Sequence, residues 1–303
     1  MKKEVMDYFI NLEDKAKKFN NIWDPIHNKH IEDLGWDEYS IDGIRAWVKG
    51  GKRRDNILGH VSSKLYKSLG IPTPQTALFR HKDINYGIFS ASQDVKTLNS
   101  ENLIVDLANE SPAIKHLKKD YRHDRVNSKW DILYDEQEKS NFLKYMTEEC
   151  FEELITIMLL DELRTDPDRH WGNYFMYATK GSNKYEGIIP IDLEFGSVFE
   201  SLTFERFLHV DTYNAYSIYS CRDSEKNYAT RINDILKLIH DGKLTQKQIE
   251  IIKKALEYGL DDEFEKVVNN FKLKKIMGTS ETVYSMHRLW EYNRATVGKE
   301  LQI

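Results

Sequence analysis

Several features are scarce in this chain. Only two cysteines occur in 303 residues, Cys150 and Cys221, and neither stands at metal-ligand spacing from other cysteines or histidines. A disulfide framework and a cysteine zinc site are therefore not expected, and folding in a reducing compartment is. No apolar run approaches the ~20 residues of a membrane-crossing helix. The start, Met1-Lys2-Lys3-Glu4, leads into an amphipathic pattern and not a signal-peptide core, so no classical secretory route is expected. The reading is a cytoplasmic protein, with non-classical export left open. Charge of one sign is lacking too: 44 basic against 49 acidic residues leave a net charge of −5, which points to neither nucleic acid nor an anionic membrane as partner. No internal repeat or long low-complexity linker divides the chain, so it has the length for one two-lobed domain or two small ones.

What the chain does have is concentrated between Asp161 and Gly196. One polar cluster holds Asp168, Arg169, His170 and Asn173, and a second holds Asp192 and Glu194. Between them, residues 174–178 and 187–191 are aromatic or β-branched and are joined by Lys180-Gly181-Ser182-Asn183-Lys184, which reads as a β-hairpin. A hairpin returns the chain to its start, so Asn173 and Asp192 are expected side by side at one end of two paired strands. An amide oxygen beside a carboxylate suits Mg²⁺, which keeps water and substrate phosphates as its other ligands. Asp168, five residues before Asn173, is placed to accept a proton from an incoming hydroxyl. Taken singly, an Asp-Arg-His run is a solvated loop and an Asn before a strand is a cap. Their order, spacing and hairpin together have the logic of phosphoryl transfer.

The pattern D-x-H-x-x-N, here Asp168-Arg169-His170-Trp171-Gly172-Asn173, followed by a strand ending in Ile191-Asp192, resembles the catalytic core of HipA-like kinases. The string D-R-H-x-x-N is also similar to the phosphoinositide 3-kinase-like group. The resemblance implies an α+β, two-lobed protein-kinase-like fold, with a small strand-containing N-lobe over 1–91 and a larger, mainly helical C-lobe over 92–303. It also implies that Asp168 is the catalytic base, that Asn173 and Asp192 are metal ligands, and that His170 is a catalytic-loop residue near the phosphates. Asp192-Leu193-Glu194-Phe195-Gly196 departs from a plain D-F-G, which leaves open whether Glu194 touches a metal. No G-x-G-x-x-G is present, which separates the chain from ordinary eukaryotic protein kinases. The stand-alone length and the asparagine- and lysine-rich composition are similar to small cell-translocating kinases of the HipA-like group, which implies a bacterial effector.

Other segments find places in that frame. Ile44 to Lys49 alternates as a strand and ends in Lys49-Gly50-Gly51, where a lysine pairs the phosphates of ATP; Lys52, Arg53 and Arg54 compete for that role. Residues 55–69 read as a helix with Asp55 as cap and Gly70 as stop. LGIPTP at residues 69–74, before a strand at 76–79, is again similar to the HipA-like small lobe. A strand over 86–91 leads into the expected adenine-contacting hinge at 89–93, with Phe89, Ser90 and Gln93 as candidate nucleotide contacts beside Lys49 and Gly50. The first twenty residues read as one surface helix, residues up to 42 as turns around one short strand, and 96–135 as polar and turn-rich, with a solvated mixed-charge run from His116 to Arg125. Residues 141–164 read as one core helix, 199–219 as an activation segment holding Tyr213, Tyr216 and Tyr219, and the remainder as helices over 230–240, 245–258, 261–271 and 280–294. The expected activity is transfer of the γ-phosphate of MgATP to serine or threonine of a protein substrate, with autophosphorylation. A lipid or small-molecule kinase, an adenylyl transferase and a nucleotide-binding pseudokinase are the alternatives.

Overall fold

The computed structural model describes residues 2–9, 11–51, 53–83, 87–101, 103–112, 114–115, 129–166, 169–193, 228–275 and 278–303. Lys52, Asp168, Glu194, Cys221, the His116–Arg125 run and the 199–219 segment lie outside the described residues.

A six-stranded sheet forms the small lobe, in the order β1-β5-β6-β4-β3-β2. Its strands are β1 (Ile22–Trp23), β2 (Ile31–Gly35), β3 (Glu38–Ile41), β4 (Ile44–Lys49), β5 (Thr76–His81) and β6 (Ile88–Gln93). Three strands thus fill the region read as one, because the turns at 35–37 and 42–43 take left-handed backbone at Gly35, Trp36, Asp37, Asp42 and Gly43 and fold a short stretch into two hairpins. In β4, Ile44, Ala46 and Val48 are buried while Arg45, Trp47 and Lys49 are exposed, the period-two pattern of a half-buried strand. The buried set packs with Trp23, Phe79, Ala91 and, from a helix laid on the sheet, Leu12 and Ala16.

That helix, α2 (Leu12–Lys18), is separate from α1 (Lys2–Tyr8). The single N-terminal helix read from the sequence is broken because Asn11 caps the second one, accepting a hydrogen bond from the Glu13 N–H. The two apolar faces also enter different cores: Val5 and Phe9 pack with Val105, Phe175, Tyr177 and Ile189 of the other sheet.

The second sheet, β7-β8-β9, belongs to the larger lobe and is antiparallel. The expected hairpin is present as β8 (Tyr174–Thr179) and β9 (Gly187–Pro190), and β7 (Leu103–Leu107), in the segment read as turns, adds a third strand. Helix α3 (Arg53–Ser68) includes Asp55 in its first turn and carries Ile57, Val61 and Leu65 into the largest core, with Leu154, Ile155 and Met158.

The core helix read over 141–164 is two helices, α4 (Glu136–Leu143) and α5 (Glu148–Leu163), because Thr147 caps the second one at the Cys150 N–H. Helix α5 is buried nearly all round, the mark of a central helix. The remaining helices, α6 (Tyr228–His240), α7 (Gln246–Tyr258), α8 (Leu260–Asn270) and α9 (Thr279–Asn293), lie within a residue or two of their expected bounds. Thr245 and Gln248 form a capping box on α7, and Gly259, at φ 70°, turns the chain into α8. No helix among the described residues is long and apolar enough to cross a membrane.

Candidate active site

Helix α5 delivers the chain into a tight polar loop. His170 caps a short 3₁₀ turn, Trp171–Asn173, its Nδ1 accepting the Gly172 N–H at 3.0 Å. The Asn173 N–H donates to the His170 carbonyl at 2.9 Å, and Asn173 immediately precedes β8. After β9 the chain returns alongside, Tyr174 opposite Pro190, and the Ile191 N–H donates to the Asn173 carbonyl at 3.0 Å. Asp192 follows in left-handed backbone, φ 51°. A non-glycine residue rarely holds that conformation unless its surroundings impose it.

Lys49 approaches from the other lobe. It ends β4, where Lys49 pairs with Ser90, and its Nζ donates to Asp192 Oδ1 at 2.7 Å. Both side chains are a little under half exposed, so the pair is open to solvent and to a ligand. Asn56 of α3 fixes the strand end: its buried amide donates to the carbonyls of Lys49 at 3.3 Å and Ile88 at 2.8 Å, tying β4 to β6. Of the cations that compete with Lys49 in the sequence, Arg53 reaches Thr279 and Arg54 contacts Asp55.

A cavity of about 670 Å³ opens between the lobes, lined by Trp47, Lys49, Gly50, Gln93, Ile191 and Asp192 among others, within the size range of small-ligand sites. Gly50 is a glycine for a local reason, since a Cβ there would meet the Phe89 ring at 2.8 Å. Ser90 lies beside Lys49 and Asp192 in a smaller recess. Gln93 lines the main cavity; its Nε2 donates to the Tyr8 carbonyl of α1 at 3.3 Å, and its buried Oε1 has no hydrogen-bond partner among the described residues. Phe89 points elsewhere, stacking on Trp23 with centroids 5.9 Å apart and lying against His81. Of the expected residues, Lys49, Gly50, Ser90, Gln93 and Asp192 therefore line this interlobe region. Asn173 is joined to it through Ile191, His170 shapes the loop, and Phe89 faces the small-lobe interior.

A buried network holds the loop in place. Arg169 donates to the carbonyls of Asn173 and Ile191, the latter at 2.5 Å, and Arg164 donates to the Leu193 carbonyl at 3.2 Å. The two arginines thus grip the chain on both sides of Asp192. Both are paired to Asp161 and Asp166 at 2.8–3.1 Å. Tyr66 of α3 donates to Asp161 Oδ1 at 2.6 Å, and Arg164 lies over the Tyr66 ring. Burial works against the charge on Arg169, but Asp161 and Asp166 outweigh it and hold the guanidinium pKa well above its ordinary value. Burial likewise raises the Tyr66 phenol, which stays protonated and donates. Asp161, Arg164 and Asp166 are absent from the sequence motif. Their signal is Asp161-Glu162 in the last turn of an apolar helix, where the dipole disfavours acids; such carboxylates need cations nearby, and Glu162 finds one in Arg231 at 3.1 Å.

The donor set at Asn173 and Asp192, a carboxamide and a half-exposed carboxylate, fits a hard divalent cation that keeps part of its water shell.

No protein-family model matches the chain, and no curated protein does. Solved structures do. A Helicobacter pylori proinflammatory kinase, CtkA, is similar over 90% of this chain and 94% of its own, with a TM-score of 0.54 at 14% identity. The Shewanella oneidensis HipA of a toxin–antitoxin complex with HipB and operator DNA is similar over 97% of this chain and 73% of its own, with a TM-score of 0.51 at 10% identity. The likeness lies in the architecture: the chain has the two-lobed fold of HipA-like kinases.

Proposed function

We propose that the protein is an ATP-dependent kinase that transfers the γ-phosphate to serine or threonine hydroxyls of protein substrates and also phosphorylates itself, with 1–91 as its N-lobe and 92–303 as its C-lobe. The observation that carries this reading is the Lys49–Asp192 pair, 2.7 Å across the cleft between two lobes of kinase fold, beside Asn173.

In this reading Asn173 and Asp192 hold Mg²⁺, which when bound neutralises charge on the transferred phosphate and its leaving group. Lys49 releases Asp192 and turns to the α- and β-phosphates, so one cation that neutralises a carboxylate in the free protein neutralises phosphate in the complex. Asp168 takes the proton of the incoming hydroxyl. His170, ordered by the Gly172 N–H, keeps the loop in register near the phosphates. Ser90, Gly50 and Gln93 face the nucleotide. Because such catalysis is chiefly positioning and electrostatics, the arginine grip on both sides of Asp192 is part of the machinery.

The test is incubation of wild type, Asp168→Ala and Asp192→Ala with Mg²⁺, a generic basic protein and ATP labelled at either the γ or the α position, followed by mapping of the labelled residues. Label from the γ position on serine or threonine, lost in both variants, is the expected result. Label from the α position means nucleotidyl transfer, and ATP binding without label in wild type means a lipid or small-molecule acceptor or a pseudokinase; each rejects the reading.

A further inference from the structure

Away from the interlobe cleft lies a larger cavity, about 1030 Å³, walled on one side by the small-lobe sheet and on the other by the chain leaving α8. It shares no lining residue with the cleft at Lys49 and Asp192. Its lining carries five cationic side chains, Arg80, Lys82, Lys272, Lys274 and Lys275, against one carboxylate, Asp83. On a chain of net charge −5 this is a local inversion of sign.

Two of the five are neutralised from outside the cavity, Lys82 by Asp24 and Lys274 by Glu265. The other three, Arg80, Lys272 and Lys275, have no carboxylate partner among the described residues. Arg80 is nonetheless held in place: its guanidinium donates to the Phe271 carbonyl at 2.9 Å and lies over the Phe271 ring, 5.6 Å from the centroid. That leaves most of its N–H fork for an incoming acid. Lys272 is turned into left-handed backbone at φ 56°. Lys272, Lys274 and Lys275 lie just beyond the C-terminus of α8, where the helix dipole favours cations, but that does not account for Arg80, which comes from a sheet in the other lobe.

We propose that this cavity is a docking site for an acidic peptide segment of a protein partner. The peptide is favoured by the surroundings of the cations. Asp24, Asp83 and Glu265 stand around them, and a continuous phosphate backbone would have to run over those carboxylates. The site is a concavity and not a flat basic face, which disfavours a lipid surface. Exposed Ile22 and the Phe271 ring supply apolar wall between the cations, and β1, which carries Ile22, is the outermost strand of its sheet, the kind of rim along which an extended segment lies. A segment bound here touches both the small-lobe sheet and the chain after α8. Docking at this site stands independently of the reaction in the cleft.

The test uses the full chain and a fluorescein-labelled glutamate- and leucine-rich peptide, read by fluorescence anisotropy. A lysine-rich peptide, a single-stranded oligonucleotide and phosphatidylserine vesicles are run in parallel. The expected result is binding of the acidic peptide alone, weakened by salt and by about tenfold or more in Lys272→Glu/Lys275→Glu, while the variant keeps the wild-type circular dichroism and melting temperature. Arg80→Gln provides a second variant with the same expected direction. Wild type that ignores the acidic peptide, or variants that bind it as wild type does, overturns the proposal. Oligonucleotide or vesicle binding that is tighter than peptide binding and lost in the same variants overturns it in favour of a polyanion or membrane site.

Discussion

Two sets of acid–base contacts meet at the backbone around Asp192 and have opposite surroundings. The Lys49–Asp192 pair is 44% and 45% exposed on its two sides, whereas Asp161, Arg164, Asp166 and Arg169 are between 0 and 5% exposed. An exposed pair contributes about 0–1 kcal/mol to stability, so it can be opened by a ligand at little cost. A buried network cannot give up one member without leaving a charge uncompensated. On the proposed reading, the fold thus separates the groups that exchange partners from those that hold the loop. The backbone of Asn173, Ile191 and Leu193 joins the two sets.

That contrast is most severely tested by Asp161→Ala, which strips both arginines and Tyr66 of a shared acceptor. The expected loss is about 3–5 kcal/mol in urea unfolding, and a loss under ~1 kcal/mol would place the network outside the stability of the fold. Asp192→Ala is expected to do the reverse, lowering phosphoryl transfer by about a hundredfold or more while stability moves by no more than ~1 kcal/mol. Matched unfolding curves and rate assays decide it.

Arg169→Lys keeps the charge but loses the fork that reaches two carbonyls and two carboxylates at once. We expect a cost of about 1–3 kcal/mol, together with a fall in kcat larger than any rise in KM for ATP, because the lysine no longer fixes the approach to Asp192. A rise in KM with kcat unchanged would assign Arg169 to binding.

The smallest effect concerns a half-buried case. Burial lowers the His287 pKa, but Glu265 and Asp261, each 3.0 Å from a ring nitrogen, outweigh it and raise the pKa above 6.5. A raised folded-state pKa contributes stability that is fully present below about 6.5 and is lost as pH rises through the folded value. Melting temperatures of wild type should therefore fall relative to His287→Gln from slightly acidic to slightly alkaline pH. A constant difference across that range would mean that folded and unfolded states bind the His287 proton equally, and would contradict the raised pKa.

The parts of this site legible in the sequence are those that local patterning controls. A turn-rich linker between two apolar runs gives the hairpin, and the hairpin alone puts Asn173 next to Ile191-Asp192. Alternation in β4 gives the face that Lys49 shares with Trp47. The long-range parts carry no such mark. Tyr66 is an ordinary aromatic on a helix until Asp161, 95 residues later, comes within hydrogen-bond distance. Strand β7 is five residues with a single buried position, too short and too uniform to stand out before β8 pairs with it. The break between α1 and α2 is equally hidden, because Val5 and Leu12 both look like one apolar stripe until each finds a different sheet. Phe89 shows what order alone leaves open, since the alternation of β6 sends its ring towards Trp23 and leaves only its backbone for the cleft side.

The claim on which the account rests is that Asp192 exchanges Lys49 for a metal when nucleotide arrives. Calorimetric titration of ATP into wild type and Asp192→Ala, each with and without Mg²⁺, tests it directly. The account predicts that Mg²⁺ tightens ATP binding to wild type and has no such effect on Asp192→Ala. An equal Mg²⁺ effect on both proteins would contradict it.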